Sequence, residues 1–374
     1  MKWSWRIARV AGVDIYLHWT FLLLIGWILF SYLMAGADWL GVWTGVGFVL
    51  ALFVCVVLHE LGHAMAARVF GIPTRDITIL PIGGVARLDH IPEHSRQEFV
   101  IAIAGPLVNV VIAAVLAVLT LGLMGAGHLG YGALLTGRFL QNLMWANILL
   151  VLFNLIPAFP MDGGRMLRAG LATFLEYSTA TRIAAGVGQV LAILFAVGGL
   201  FVFNNPFLLF IALFVYLGAA GEAQMAEVRS MLRGIPVREA MMTRFQALSP
   251  SDSLQTAATE LLAGMQQEFP VVEEGRLVGM LRRADLAEGL RGSTGEVRIA
   301  DVMTQDCRCV NEFDLLERVM YEMHQGSCSV LPVVRGDRII GLVDTENIGE
   351  LLMIRSARSN GTPAVRHPGE LISA

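Results

Sequence analysis

The chain has 374 residues, of which 55% are hydrophobic and only 16% charged. Soluble globular proteins carry roughly 25% charged residues, so most of this chain is expected to sit in a membrane. The net charge of −4 is spread along the sequence and argues against a nucleic-acid partner. Cys55, Cys307, Cys309 and Cys328 include a C-x-C but no C-x-x-C and no matching pair, so they are read as reduced structural thiols.

Residues 1–14 carry Lys2, Arg6 and Arg9 ahead of an apolar run, Tyr16 to Met34. Ala35-Gly36-Ala37 resembles a signal-peptide cleavage site. The run exceeds the 7–15 residues of an ordinary h-region, roughly, so it is read as a retained first span, with His18 near its start in a structural role. A second span, about Gly41 to Phe70, ends in His59-Glu60-Leu61-Gly62-His63. On a helix, positions i and i+4 share a face, so both imidazoles can point at one metal ion, and Glu60 lies beside them. The stretch before it, Val46 to Leu58, contains no charge. Ionisable groups at membrane depth are costly and functional by default, which weighs against two incidental structural histidines.

Asp76 to Leu88 reads as two short strands around a Pro/Gly turn. His90 and His94 are also four apart, but Pro92 between them excludes a regular helix, and they are read as loop residues with a rival metal site in reserve. The third span, about Phe99 to Gly125, contains Gly105-Pro106-Leu107-Val108-Asn109. The fourth, about Ala133 to Ile156, breaks at Asn154-Leu155-Ile156-Pro157-Ala158-Phe159-Pro160-Met161-Asp162-Gly163-Gly164. Its prolines and glycines predict irregular backbone carrying Asp162 at membrane depth, tolerated only where protein or a water cavity covers it. The plain alternative is a helix-ending loop with a capping Asp. Fifth and sixth spans follow, about Ile183 to Phe203 and Pro206 to Gly221.

Basic residues cluster at the N-terminus, between the second and third spans (Arg68, Arg75, Arg87, Arg96), between the fourth and fifth (Arg165, Arg168, Arg182), and after the sixth (Arg229, Arg233). The positive-inside rule then puts both termini in the cytoplasm and brings His59, His63 and Asp162 toward the same side.

After Gly221 the composition becomes that of a soluble domain with an internal repeat. Met242-Thr243 matches Met303-Thr304, Pro270-Val271-Val272 matches Pro332-Val333-Val334, and Gly279 matches Gly341, at an offset of about 61 to 62. The expected organisation is a membrane domain over 1–221, a linker over 222–234, repeats over 235–292 and 293–356, and a polar tail over 357–374 that is expected to be disordered. The fold class is a membrane α-helical bundle of about six transmembrane helices with a short β-hairpin, followed by a cytoplasmic α/β module.

Two histidines need a third protein ligand and an open position to make a catalytic zinc site. Asp162 is the candidate: an oxygen donor on the correct side, on backbone that can bend toward the second span. With one Zn2+ per chain, Glu60 serves as general base, and Asn109 or Asn154 could help bind the developing oxyanion. For each asparagine a packing or capping role is an equal alternative.

His59-Glu60-Leu61-Gly62-His63, together with Asn154-x-x-Pro157-x-x-Pro160-x-Asp162-Gly163, resembles the site-2 protease family of intramembrane zinc metalloproteases. Leu80-Pro81-Ile82-Gly83-Gly84 and Ala104-Gly105-Pro106-Leu107-Val108-Asn109 are similar to its segments too. The resemblance covers residues 1 to about 220. It implies six spans, zinc held by His59, His63 and Asp162, Glu60 as base, and transmembrane segments of other proteins as substrates, commonly membrane-bound anti-sigma or pro-sigma factors in a prokaryotic plasma membrane. It also implies that the hairpin presents substrate. The PDZ domain of many relatives is not found. The repeat resembles a tandem pair of CBS domains, which implies a homodimer or an adenine nucleotide as ligand. Of the nucleotide pattern, Asp285 keeps the ribose-binding acid, whereas Asn347 stands in its place in the second half. A different class of function fits the same spans: a CBS-gated ion channel or transporter using His59, His63 and Asp162 as an ion path. Such a protein has no need of Glu60 between its histidines.

Overall fold

The computed structural model describes residues 3–81, 83–88, 94–124, 139–264, 266–292, 297–305, 308–325 and 329–360. His90, Cys307, Cys328 and most of the expected tail lie outside them. The chain divides into two compact units, residues 1–227 and 228–374.

The first unit opens with β1 (Ser4–Val10) and β2 (Val13–His18), then α1 (Thr20–Met34) and α2 (Trp39–Val69). After β3 (Thr74–Leu80) and β4 (Gly83–Leu88) come α3 (Ser95–Met124), α4 (Phe139–Asn154), α5 (Asp162–Leu171), α6 (Tyr177–Val197), a π turn over Gly198–Val202, and α7 (Phe207–Leu232). The helices covering Trp39–Val69, Ser95–Gly122, Tyr177–Val202 and Phe207–Leu232 are long and apolar enough to cross a membrane; α1 and α4 are apolar but have 15 and 16 residues.

Local chemistry sets the ends of α2. Asp38 caps it by accepting from the Gly41 N–H at 2.9 Å. At the other end Gly71 takes φ +75°, and the Ile72 N–H returns to the Ala67 carbonyl at 3.0 Å, closing the last turn.

The expected two-stranded hairpin is half of a larger sheet. Its order is β1-β2-β3-β4, antiparallel except for the parallel β2–β3 pair. Val13-Asp14-Ile15-Tyr16-Leu17-His18 alternates as a strand should, but its second half merges into the apolar run that follows, so Tyr16 to His18 belongs to β2 and not to the first span. The alternation has a purpose in packing. Val13 and Ile77 bury against Leu61 and Ala64 of α2, and Ile15 and Ile79 bury against Phe21 of α1. The sheet is thereby seated on the turn of α2 that carries Leu61, inside the His-Glu motif.

The stretch read as a linker, 222–234, is mostly the last turns of α7, because Ala219 to Leu232 contains no Pro and only Gly221 to interrupt a helix. In the second unit α8 (Leu254–Ala263), β5 (Phe269–Glu273), β6 (Arg276–Leu281) and α9 (Arg283–Gly292) form one repeat. The other has β7 (Val310–Asn311), α10 (Leu316–Gln325), β8 (Val330–Arg335), β9 (Arg338–Asp344) and α11 (Thr345–Asn360). Its sheet runs β5-β6-β9-β8-β7. Each repeat lends a bridge to the other: Met242 pairs with Leu342, and Thr304 with Met280. Gly279 and Gly341 sit under those crossings, where a side chain would meet Met303 Sδ at 2.8 Å and the Met242 carbonyl at 2.9 Å. This is why both glycines recur at the repeat offset. α11 runs to Asn360, into the segment read as tail.

Candidate metal centre

His59 and His63 occupy one face of α2, one turn apart, and both are buried. Their Nε2 atoms lie 3.1 Å from each other, and each lies 3.2 Å from Asp162 Oδ2. The three donor atoms form a nearly equilateral triangle. Bonds of about 2.0–2.1 Å in a tetrahedral zinc site would separate its ligands by about 3.3 Å, so the spacing fits. Among the described residues this is the one group of three His, Cys, Asp or Glu side chains close enough to share an ion.

The proton positions make the fit a chemical one. His63 Nδ1 lies 2.7 Å from the Ile101 carbonyl, which can only accept, so Nδ1 carries the hydrogen. His59 Nδ1 lies 2.6 Å from Asn109 Oδ1. With both hydrogens on Nδ1, both Nε2 lone pairs face each other and the Asp162 carboxylate. Three lone pairs converging in a buried site repel unless a cation lies between them, and imidazoles tied at the second nitrogen are the usual arrangement around a metal.

Three backbone features bring the groups together. Gly105 lets α3 pass the imidazoles: a side chain there would overlap His63 Nε2 and meet His59 Cε1 at 2.8 Å. Gly62 allows α2 to approach the Ala104 carbonyl of α3, where a side chain would come within 2.9 Å. Asp162 was expected on irregular backbone; it is the first residue of α5, and the irregular part is the loop before it. There the Ala158 N–H returns to the Ile156 carbonyl at 2.7 Å and the Met161 N–H to the Ala158 carbonyl at 3.0 Å. An acid in a first helical turn suits the free N–H groups and the dipole. Gly163 and Gly164 follow because side chains would strike the Leu155 carbonyl at 2.5 Å and the Phe159 nitrogen at 2.6 Å.

Glu60 is half-buried on the sheet side of α2, directly under Gly84 of β4, where a side chain would meet Glu60 Cγ at 2.5 Å. Of the two asparagines, Asn109 is brought to the site and Asn154 is not shown to be: Asn154 is the half-buried last residue of α4. Asn109 takes a different part from the oxyanion donor expected of it, since its oxygen faces His59 and its nitrogen donates to Asn147 Oδ1 at 2.7 Å. Asn147 was overlooked in the sequence, and Arg168 was read there only as one of the basic residues between the fourth and fifth spans, whereas it is buried in α5. Their one available signal was polarity inside or beside an apolar span. Arg168 is buried between Glu98 of α3 and Glu222 of α7, with its guanidinium 4.9 Å from the Phe159 ring and 5.0 Å from that of Tyr177.

In the second unit, Asp285 accepts from Arg282 Nε at 2.8 Å, Arg282 Nη2 at 2.9 Å and Thr304 Oγ1 at 3.1 Å. Burial works against the charged form of Asp285, but these bonds outweigh it and hold the carboxyl below its ordinary range. Glu268 and Ser329, just ahead of β5 and β8 in the two repeats, join at 2.6 Å; burial pushes the Glu268 carboxyl up.

The profile of peptidase family M50 matches residues 47–135 and 131–198, and that of the CBS domain matches 237–292 and 299–353. A zinc metalloprotease of Methanocaldococcus jannaschii is 35% identical over 348 residues, 93% of this chain and 96% of the relative. The chain belongs to peptidase family M50. It is a zinc metalloprotease of the site-2, intramembrane type with a tandem CBS pair, and an integral membrane protein; the channel reading falls with that assignment. A solved site-2 protease from the same archaeon is 40% identical, covering 59% of this chain and 95% of that one, with a TM-score of 0.45. A CBS domain pair solved with 5′-methylthioadenosine and S-adenosyl-L-methionine is 25% identical over 32% of this chain and 98% of that one, with a TM-score of 0.30.

Proposed function

We propose that His59, His63 and Asp162 hold one zinc ion per chain and that Glu60 is the general base for hydrolysis of a peptide bond within or near a transmembrane segment. The observation that carries this reading is the triangle of converging Nε2, Nε2 and Oδ2 atoms, each within 3.2 Å of the others. A zinc ion with three protein ligands supplies an acidified water and polarises a carbonyl. Glu60 takes the proton of the attacking water and delivers it to the departing amine nitrogen. Asp162 contributes the negative charge that offsets the ion's own, which counts for more in a dry setting than at a surface. Asn109 keeps the His59 lone pair directed at the metal.

Site-2 proteases act on membrane substrates. For this chain the substrate is a transmembrane protein, with membrane-bound anti-sigma or pro-sigma factors the class the resemblance favours. The edge strand β4, over Glu60, is where the sheet can present it. The distribution of arginine supports a cytoplasmic position for both termini, in a prokaryotic plasma membrane. A reporter fused after Arg233 that is active only outside the cytoplasm would contradict this. The CBS pair modulates activity or supports a homodimer.

The test uses full-length protein with a model transmembrane substrate and zinc content measured on the same sample. Glu60→Gln is expected to keep zinc and lose at least about 100-fold in cleavage rate. Asp162→Asn and His63→Ala are expected to lose both. An Asp162→Asn protein with full zinc and near-normal cleavage would move the third ligand elsewhere.

A further inference from the structure

The orientation of Asn109 poses a question that its own contacts do not answer. An amide has a donor end and an acceptor end of nearly the same shape. Turned by 180°, Asn109 would present its NH2 to His59, draw the lone pair to Nδ1 and leave the hydrogen on Nε2, aimed at the metal position. Something must distinguish the two ends.

We infer that Asn147 is a positioning residue for the metal centre, acting on His59 through Asn109. The inference rests on the zinc reading above. Asn147 lies on α4, fully buried, and Asn109 is 1% exposed. Asn147 Nδ2 donates to the Leu143 carbonyl at 2.8 Å, one turn earlier in its own helix. That carbonyl can only accept, so the NH2 end of Asn147 must face it. The oxygen end then faces Asn109, accepting from Asn109 Nδ2 at 2.7 Å. This leaves Asn109 Oδ1 toward His59 Nδ1 at 2.6 Å, which must carry the hydrogen. The polarity runs from a backbone carbonyl through two amides to an imidazole, across α4, α3 and α2, and every step has one permitted direction.

The flanking shell is mostly apolar: Ala113, Leu143 and Met144 bury beside the relay with Cys55, whose Sγ takes a second, longer contact from Asn147 Nδ2 at 3.4 Å, on the same NH2 end that faces Leu143. A thiol is a weak donor and acceptor, so a reversed amide gains little from Cys55, and in these surroundings hydrogen bonds hold their direction more strongly than in water. His63 shows the contrast. Its Nδ1 meets the Ile101 carbonyl directly and needs no relay. His59 is therefore the ligand whose tautomer depends on side chains of two other helices. Outer partners of metal-bound histidines typically contribute 10–100-fold in metal affinity, roughly.

The competing account is packing, in which Asn147 merely ties α4 to α3, as interhelical hydrogen bonds in membrane proteins do at modest strength. The two accounts separate in zinc affinity, measured on full-length protein in detergent by competition with a chelator. Asn147→Leu removes the relay and keeps the volume. It is expected to weaken zinc binding at least about tenfold. Asn147→Thr can keep the polarity, because a helical Thr hydroxyl donates to the carbonyl four residues back, as Thr120 does to Leu116 at 2.7 Å, and still accepts from Asn109. It is expected to bind zinc within about threefold of wild type, a margin well short of the loss on removing an outer partner. Asn109→Ala with Asn147→Leu should be no worse than Asn109→Ala alone, since one acts through the other. Wild-type affinity in Asn147→Leu, or full additivity in the double variant, overturns the inference. Independently of any variant, 15N shifts of the metal-free wild type should report His59 as the Nδ1–H tautomer, and Nε2–H would overturn it. His59→Ala separates the two readings. If it keeps its zinc, the metal assignment fails and takes the relay with it. If it loses zinc while Asn147→Leu does not, the relay alone fails.

Discussion

Gly105 stands where α3 passes closest to the two imidazoles, and its missing side chain is the space they occupy. Gly105→Ala would put a carbon into His63 Nε2 and within 2.8 Å of His59 Cε1. Neither imidazole can retreat, because Asn109 and the Ile101 carbonyl hold the opposite nitrogen of each ring. The expected result is loss of zinc by more than the roughly 10–100-fold of an outer-partner change. Gly122→Ala, on the same helix with nothing within 4 Å, should bind zinc like wild type. Metal content after dialysis against a chelator checks both. In the sequence Gly105 was visible as the neighbour of Pro106 and as part of a segment similar to the family's, with no role of its own. The two histidines and Glu60 were legible because their spacing is set by one helix. Gly105 and Asn147 were not, because their meaning comes from what a second and third helix bring alongside.

The element that carries Asp162 is held from outside the metal site. The loop before α5 packs Ala158 and Met161 against Ala192 and Val215, and Phe159 against Ala184, Ala185 and Ala219. Pro160 seats at Gly218 of α7, where a side chain would meet its Cδ at 2.6 Å. Arg168 then fastens α5 itself, through Glu98 to α3 and through Glu222 to α7. Removing one member of a buried ion pair leaves the other charge uncompensated, at a cost of about 3–5 kcal/mol. Arg168→Met is therefore expected to lower the unfolding temperature of the detergent-solubilised protein markedly, and Arg168→Met with Glu98→Gln to recover part of the loss. An unchanged melting temperature in the single variant would mean that the pair holds nothing. The four long spans were legible at this scale from length and apolarity. The sheet was only half legible, since β2 continues without a break into apolar sequence, and α5 was hidden by the prolines and glycines that shape the loop leading into it.

For the chain as a whole, two compact units follow from two compositions, and the repeat in the second was legible because a pseudo-twofold pairing imposes the same residues twice. Met242 with Leu342 and Thr304 with Met280 are that pairing, each with a glycine beneath it. The repeat does not decide what the module binds, and Asp285 is where the question turns. A ribose held by this acid would need two hydroxyls to donate to it. A carboxylate offers about four acceptor positions, and Asp285 already uses at least three, two for the Arg282 guanidinium and one for Thr304. A nucleotide would have to displace a bidentate, charge-assisted pair, the strong kind of hydrogen bond. Wild-type protein is therefore expected to bind AMP weakly or not at all, while Arg282→Ala, which frees the two positions that the guanidinium fills, binds it at least about tenfold more tightly, a difference of about 1.4 kcal/mol. Calorimetric titration of the full-length protein with AMP reads both. If wild type binds AMP well and Arg282→Ala binds it no better, Asp285 accepts ribose in spite of its internal partners, and the arginine serves the ligand and not the fold.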